Sequence, residues 1–432
     1  FEWQALIMEN CFILNNALLI NPEAEDPFLG AIEIKHGIIN KIHQSPQNSK
    51  IKSIDCGGKY LGPGIIDMGV KICEPGERHK ESFKSAGKAA AAGGVTTMVT
   101  RPDTLPPVDS PEILSFMQQR GWEDSIVNIV PMATLTKNRE GREMAEIGFL
   151  LDSGAVAFSD GDFVINDLKI LTRAMKYAKS LDALIVGHIQ ESTLSNNTAV
   201  TSGKFASLRG LPSVSAMAEK IGLERDLSLV EMTGVSYHID QISTSIALPA
   251  LVRAKKKGLD VTAGVSVHHL TLNEFDIGDY RTFFKIKPPL RSEKDREEMV
   301  EAVSAGIIDI ICSMHTPQDE ESKRLPFEEA ASGAVGLETL LPAALRLYHS
   351  EAVTINKLWA ALTLNPAKRL GLESGRIKEG APADLVLFDP NVPFVLNRET
   401  LKSKSKNTPF DGEKMQGKVL KTFVKGREVY SG

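Results

Sequence analysis

The regular alternation of short apolar runs with helix-compatible segments between residues 61 and 311 is the feature that most constrains the fold. In one such unit, the Ala-rich stretch Glu81 to Ala92 is expected to be a helix that ends at Gly93-Gly94, and Val95 to Thr100 is expected to be a buried strand. This alternation predicts parallel βα units. The eight strand candidates are Leu61 to Ile66, Val95 to Thr100, Ile126 to Val130, Ala155 to Phe158, Leu184 to Val186, Val235 to Ile239, Val261 to Val265 and Ile308 to Ile311.

Eight parallel strands are the number that closes a barrel, and 432 residues can bury a core of that size. A doubly wound open sheet would alternate in the same way. That alternative is weakened because no glycine-rich phosphate-binding motif follows a predicted strand. We therefore predict an α/β fold with a distorted (β/α)8 TIM-like barrel.

The two ends of the chain differ from the middle, because both are rich in short strands and polar turns. Hairpin turns are predicted at Asn15-Asn16, His36-Gly37 and Lys425-Gly426. We expect residues 1–56 and 368–432 to form one small composite β domain, and residues 57–367 to form the barrel.

Composition excludes several classes of protein. A net charge of -5 and a pI near 6.1 argue against a nucleic-acid binder. No apolar run approaches the roughly 18 residues that a membrane helix needs, and Phe1 to Gln4 do not begin a signal peptide. The scattered cysteines form no paired motif, which predicts a reduced, cytoplasmic protein. They are Cys11, Cys56, Cys73 and Cys312.

Several spaced motifs give the chain a resemblance to a known family. These are Pro63-Gly64-Ile65-Ile66-Asp67, Glu74-Pro75-Gly76 with His79-Lys80-Glu81, Ala89 to Thr97, Pro288-Pro289-Leu290-Arg291, Gly336-Leu337-Glu338-Thr339, Leu362 to Ala367 and Ser403 to Phe410. Together they resemble the class I bacterial dihydroorotases of the amidohydrolase superfamily. The resemblance implies a distorted (β/α)8 barrel with a composite β domain, in agreement with the strand pattern.

The resemblance also implies a reaction, the reversible cyclisation of carbamoyl aspartate to dihydroorotate in pyrimidine synthesis. An amide is a poor electrophile, so such enzymes use zinc to polarise the carbonyl and to supply hydroxide. That chemistry needs several His and carboxylate ligands with one open coordination position. An Asp near the metal moves the proton.

Most of the implied ligand positions hold other residues in this chain. The His-x-His pair is replaced by Gly69 and Lys71, a third His by Gln241, and the catalytic Asp by Met314. An ammonium has no lone pair for a metal, and a thioether cannot exchange a proton. Only Asp160 and His188 match the implied metal ligands. We therefore expect no cofactor, or zinc if this remnant pair retains any metal.

The positions that the resemblance assigns to substrate binding are also changed. Cys73 replaces an Arg, which removes a bidentate carboxylate donor. Asp103 and Lys287 each replace an Asn, and Gln318 replaces a His. A carboxylate at position 103 would repel an anionic substrate.

Other polar residues have structural and functional interpretations. Lys71 could pair with Asp160 and neutralise the cluster without metal. Cys73 is expected to be a buried free thiol, although a thiolate ligand is the alternative. The pair His268-His269 is expected on a strand, pointing to opposite faces and playing a structural role. His238 is one more possible ligand, and the basic run Lys402 to Lys406 is expected to be a solvated loop.

Retained fold motifs with altered strand ends predict a non-catalytic dihydroorotase-like protein that acts through contacts. The resemblance offers aspartate transcarbamoylase as the partner, and we expect a homo-oligomer with no nucleic-acid or membrane partner. One alternative is an active dihydroorotase, or a related cyclic amidohydrolase, with an altered metal centre. A ligand-binding or regulatory pocket is the other.

Overall fold

The computed structural model describes residues 11–24, 26–47 and 51–432. The predictions made for Phe1 to Gln4 and for the rest of 1–10 lie outside these residues. The strands are β1 (Phe12–Leu19), β2 (Phe28–Lys35), β3 (Ile38–His43), β4 (Lys52–Asp55), β5 (Tyr60–Pro63), β6 (Ile65–Val70), β7 (Val95–Thr100), β8 (Asn128–Pro131), β9 (Ile185–Gly187), β10 (Val200–Thr201), β11 (Ser213–Val214), β12 (Tyr237–Ile239), β13 (Val261–Ser266), β14 (Ile310–Cys312), β15 (Leu385–Val395), β16 (Lys414–Val424) and β17 (Arg427–Ser431).

Helices connect most of the strands in the middle of the chain. They are α1 (Phe83–Ala92), α2 (Pro111–Asp124), α3 (Ile147–Asp152), α4 (Leu168–Ser180), α5 (Ser192–Ser195), α6 (Lys204–Arg209), α7 (Met217–Thr233), α8 (Leu248–Lys256), α9 (Val267–Thr271), α10 (Glu293–Ser304), α11 (Glu320–Arg324), α12 (Leu340–His349), α13 (Ile355–Trp359) and α14 (Asn365–Leu370). Within the described ranges, no helix is both long and apolar enough to cross a membrane.

The middle of the chain is a TIM-like barrel of parallel strands, as predicted. β6, β7 and β8 pair in parallel, and so do β9, β12, β13 and β14. Phe158 joins the two groups through parallel bridges to Ala133 and Ile185, and a bridge from Val70 to His315 closes the ring. The predicted fourth strand, Ala155 to Phe158, is thus reduced to a single bridging residue.

Local sequence explains the well-formed units of the barrel. Every residue of β6 and β7 is buried, which a parallel strand with helices outside it requires. Ser82 begins α1 with a capping box, in which its side chain accepts a hydrogen bond from the Ser85 amide. The helix ends at Gly93, where the sequence predicted the end.

Strands from both ends of the chain form one sheet, in the order β17-β16-β15-β5-β1-β2-β3, with β4 beside β1. The predicted turns at His36-Gly37 and Lys425-Gly426 are confirmed, and both dipeptides have positive φ, as tight hairpins need. The turn predicted at Asn15-Asn16 is wrong. β1 runs through it with a bulge between Leu14 and Ala17, and Asn16 has φ +53°.

The sheet meets the barrel where β5 passes into β6. Trp359 donates a hydrogen bond from its indole nitrogen to Pro63 O at 3.0 Å and stacks on Phe388 with ring centroids 4.7 Å apart. A Cβ at Gly62 would lie 2.3 Å from the same indole nitrogen, so only glycine fits there. β5 lies within residues 57–367, yet it pairs with β1 and β15 of the sheet. The domain bounds 1–56, 57–367 and 368–432 stay a prediction.

Candidate functional site

The barrel strands bring several predicted site residues, together with other charged side chains, to one end of the barrel. Because these strands are parallel, the residues that follow them lie together at the carboxyl end of the barrel. Those residues are Lys71 and Cys73 after β6, Arg101 and Asp103 after β7, Asp160 after the bridging Phe158, His188 after β9, Asp240 and Gln241 after β12, and Met314 after β14.

Gly69 and Met314 fit one another. A Cβ at position 69 would lie only 2.3 Å from the Met314 sulfur and 3.3 Å from its Cα. Met314 is 7% exposed and has φ +49°, a conformation that few L residues adopt. The thioether therefore fills the space that a ligand side chain at position 69 would need.

Lys71 is paired, but not with the carboxylate that the sequence suggested. Its Nζ lies 3.3 Å from Asp103 Oδ2 and 3.8 Å from Glu77 Oε2. Burial disfavours the ammonium, yet the Asp103 carboxylate keeps the pKa of Lys71 above its ordinary value. The hypothesis of a Lys71–Asp160 pair is wrong, because Asp160 is engaged elsewhere.

Asp160 uses its carboxylate to hold the loop after β8. Its Oδ1 accepts hydrogen bonds from the amides of Leu135 and Thr136 at 2.9 and 3.0 Å, and its Oδ2 accepts one from the Thr136 hydroxyl. Burial nevertheless raises the pKa of Asp160. The oxygens of Asp160 are thus committed to protein donors.

His188 is buried beside Asp160, and both line a small cavity of about 30 Å³ that is partly open to solvent. The His188 Nδ1 lies 3.9 Å from Asp240 Oδ2, and neither ring nitrogen has a hydrogen-bond partner.

The residues do not fit the zinc centre that the resemblance implies. Across the described part of the chain, no three His, Cys, Asp or Glu side chains lie close enough to hold a metal ion. Asp160 is occupied by Thr136 and Leu135, and Lys71 puts a cation at the mouth of the barrel.

The substrate-binding positions of the resemblance are occupied by internal contacts. Cys73 is a free, buried thiol, as expected, and burial raises its pKa to about 12. Lys287 is half-exposed and donates to Asp162 at 3.2 Å. Gln318 donates to Ser332 O at 2.8 Å. Gln241, at a position where the resemblance implies a metal ligand, is engaged as well and donates to Lys287 O at 3.3 Å.

Four charged residues of the site were missed by the sequence analysis. Arg101 lies 3.5 Å from Asp103 Oδ1, and Arg139 donates to Asp162 at 3.1 Å. Burial would raise the pKa of Asp240, but the neighbouring His188 and the charge of Arg101 hold it below its ordinary value. Arg101 and Asp240 directly follow predicted strands, which was a usable signal. Arg139 lies in a short 3-10 helical turn and Asp162 in a loop, and neither follows a predicted strand, so no signal in the sequence marks them.

The remaining histidines have structural roles. His238 shares a hydrogen bond of 2.8 Å with the Thr262 hydroxyl, and burial lowers its pKa to about 3. His268 stacks on Phe410 at 5.6 Å, and His269 contacts Pro289 O at 3.2 Å. The expectation that this pair lies on a strand is wrong, because the two residues belong to α9.

The motifs that carry the resemblance also make structural contacts. Arg291 pairs with the fully buried Glu219 at 3.2 Å. The basic run is not a solvated loop throughout. Ser403 is buried and donates to Glu81, while the Lys404 amide donates to the same carboxylate at 3.2 Å.

The fold is similar to that of solved hydantoinases. The L-hydantoinase (dihydropyrimidinase) of Arthrobacter aurescens superposes with a TM-score of 0.88 over 97% of this chain and 96% of that one, at 23% identity. A D-hydantoinase superposes with a TM-score of 0.83 over 97% of this chain and 95% of that one, at 20% identity. The amidohydrolase family also matches residues 333–430.

Sequence similarity is more specific. The dihydro-orotase-like family matches residues 58–246. The chain is 38% identical to the dihydroorotase of Ehrlichia canis, over 96% of this chain and 94% of that protein. It is 35% identical to the dihydroorotase of Aquifex aeolicus, over 97% of this chain and 99% of that protein. The chain belongs to the dihydroorotase family.

Proposed function

We propose that the chain serves pyrimidine biosynthesis as a dihydroorotase-family protein that acts through contacts, without metal-dependent hydrolysis. The observation that carries this proposal is the close fit of Met314 against Gly69. The thioether stands where the resemblance places the proton-transferring Asp, and it fills the space beside a lost ligand position.

The chemistry of the reaction supports the proposal. Opening a cyclic amide requires an activated water and a group that moves a proton to the leaving nitrogen. Lys71 and Gln241 offer no metal ligand in this arrangement, and the Asp160 oxygens already accept three hydrogen bonds. Among the positions where the resemblance implies metal ligands, His188 is the remaining candidate.

A scaffolding role requires that the outer framework be maintained while the pocket changes. The buried contacts of Arg291 with Glu219 and of Ser403 with Glu81 fit this requirement. The partner that we propose is aspartate transcarbamoylase, on the basis of the family resemblance. Co-elution of the two purified proteins in size-exclusion chromatography tests it, and unchanged elution volumes for both would count against this partner.

A second candidate is an active dihydroorotase with an altered centre. Similarity to proteins named dihydroorotase favours this candidate, because it extends along nearly their whole length. The chain is 38% identical to the dihydroorotase of Ehrlichia canis over 94% of that protein. In that case any retained zinc would be held by Asp160 and His188.

A dihydroorotate hydrolysis assay with elemental analysis separates the two candidates. We expect no turnover above the uncatalysed rate and no stoichiometric zinc. The matched control is His188→Asn, which removes the remaining ligand candidate. Bound zinc and turnover that both disappear in this variant would establish the catalytic alternative instead.

A further inference from the structure

The basic run Lys402 to Lys406 has an inner face that is bound to the barrel and an outer face of lysines. Ser403 and Ser405 are 2% and 7% exposed. The Ser403 hydroxyl donates to Glu81, and the Ser405 hydroxyl donates to Lys80 O at 2.8 Å. Lys402 and Lys404, which alternate with the serines, are exposed to solvent.

The backbone of the basic run is held by two carboxylates. Glu338 accepts hydrogen bonds from the amides of Lys402 and Ser403 at 2.7 and 3.0 Å, and Glu81 accepts one from the amide of Lys404 at 3.2 Å. Because folding already orders this backbone, a partner that binds the outer lysines has only their side chains to immobilise.

Helix α1 extends the same positive surface. It begins directly after Glu81, and its residues Lys84 and Lys88 are exposed one turn apart. Lys404 Nζ donates to Arg78 O at 2.9 Å, which brings Arg78 beside the run with its side chain 61% exposed. We call these five residues the basic surface. They are Arg78, Lys84, Lys88, Lys402 and Lys404.

Most of this positive charge is not compensated by neighbouring carboxylates. Within the described ranges, the four lysines of the basic surface form no ion pair, and only Arg78 has one, with Glu74 at 3.4 Å. Elsewhere on the surface a lysine such as Lys255 is paired, in this case with Asp309 at 2.7 Å. Like charges repel, and Lys84 and Lys88 stand at the i,i+4 spacing where the repulsion on a helix is strongest. An anionic partner would relieve this repulsion, in a chain whose net charge is -5.

The chemistry of the basic surface favours an acidic protein segment over other anionic partners. Among the described residues, no large hydrophobic side chain is exposed in 78–92 or 398–410. The surface therefore has no aromatic ring on which a nucleic-acid base could stack and no apolar side chain to enter a lipid surface. Complementary charge alone suits the carboxylates of a polar protein segment.

We propose that the basic surface docks an acidic segment of a partner protein. The carboxylates of that segment pair with the exposed lysines of the basic run and of α1. This inference rests on the proposed function, because it names the face and the kind of partner through which a chain that acts by contacts would work.

Fluorescence anisotropy of the full chain with a labelled peptide of alternating Glu and Ser tests the proposal. We expect saturable binding at low ionic strength, which added salt weakens. The double variant Lys402→Gln, Lys404→Gln should bind about fivefold more weakly or worse. The matched control is Lys169→Gln, Lys176→Gln, which removes two exposed lysines of α4 and the same charge, and should stay within about twofold of the wild type.

Two further measurements guard against a folding defect. Thermal unfolding should place both double variants within about 2 °C of the wild type, because the replaced side chains are exposed. Lys402→Arg, Lys404→Arg, which keeps the charge, should retain binding. If the first double variant does not fold, Lys84→Gln, Lys88→Gln on α1 decides, with the same expected loss.

Four results would overturn the basic surface. They are no saturable binding by the wild type, equal binding by the wild type and the Lys402, Lys404 variant, equal weakening in the α4 control, and tighter binding of a single-stranded oligonucleotide of the same charge. The peptide assay is independent of the dihydroorotate assay. Turnover with retained, lysine-dependent peptide binding would sink the non-catalytic function and support the surface, whereas absence of both would sink the surface alone.

Discussion

Two buried polar regions of the barrel differ in how completely their hydrogen bonds are made. Glu219, fully buried, accepts hydrogen bonds from Ser243, Thr244, Gln190 and Arg291. At the strand ends by the mouth of the barrel, atoms of Arg101, Asp103, His188 and Asp240 have no hydrogen-bond partner. A satisfied network stabilises a fold, whereas an unsatisfied one is expected where a ligand binds. The first region therefore stabilises the fold, whereas the second has the open hydrogen-bonding groups that a functional site needs.

The largest effect is expected from breaking the satisfied network. Arg291→Met leaves Glu219 as a buried carboxylate without its cation, which should lower the free energy of unfolding by about 3–5 kcal/mol. Urea denaturation measures this. The control is Arg253→Met, because Arg253 pairs with Glu224 at 61% and 44% side-chain exposure and should change stability by less than about 1 kcal/mol. Equal losses in the two variants would refute the contrast.

The next effect tests the fit between Gly69 and Met314. Gly69→Ala places a Cβ 2.3 Å from the Met314 sulfur, and this overpacking should cost about 1–3 kcal/mol. In a Met314→Ala background the same change should cost less, so a double-mutant cycle in urea should give a clear coupling energy. Additive losses would mean that the two positions do not share one space.

The stability of the fold should depend on pH through Glu338, which lies outside the group of strand-end residues. Glu338 accepts hydrogen bonds from the amides of Lys402 and Ser403, and burial raises its pKa to about 7. Between the unfolded pKa of 4.5 and about 7 the folded state holds the proton and the unfolded state does not, so stability falls as pH rises through this window. Melting temperatures at pH 5 and pH 8 should show the fall in the wild type and a smaller one in Glu338→Gln. A fall of the same size in both proteins would assign it to other groups.

The smallest effect is expected from the exposed edge of the site. Lys287 pairs with Asp162 at 46% and 43% side-chain exposure. Lys287→Met should change the free energy of unfolding by only about 0.5 kcal/mol, and less at high salt. Urea titrations at two ionic strengths measure this. A loss of several kcal/mol would place Lys287 in the framework after all.

Much of the fold could be predicted because it depends on local patterns. The His36-Gly37 and Lys425-Gly426 dipeptides encode tight turns directly, and the buried run Val95 to Thr100 encodes a barrel strand. The prediction of a turn at Asn15-Asn16 was wrong, because a residue that tolerates positive φ can occupy a β-bulge as well as a turn. The prediction of a fourth strand at Ala155 to Phe158 was wrong, because only Phe158 pairs with the neighbouring strands of the barrel.

The site was less predictable, because its pairings are set by tertiary contacts. The resemblance located Lys71, Asp160 and Met314 at the strand ends, but the choice of Asp103 rather than Asp160 as the partner of Lys71 depends on the barrel geometry. Arg139 lies in a short 3-10 helical turn, Lys137–Arg139, whose sequence shows no periodic pattern.

The contact between Gly69 and Met314 also bears on how this chain could change over evolutionary time. A single codon change that introduced His at position 69 would place its side chain against the Met314 sulfur. The variant would lose stability without gaining a complete ligand set, since Lys71 and Gln241 would remain. A metal centre of the kind that the resemblance implies would therefore require several coordinated replacements in this chain, and each single step would meet the packing that surrounds Met314.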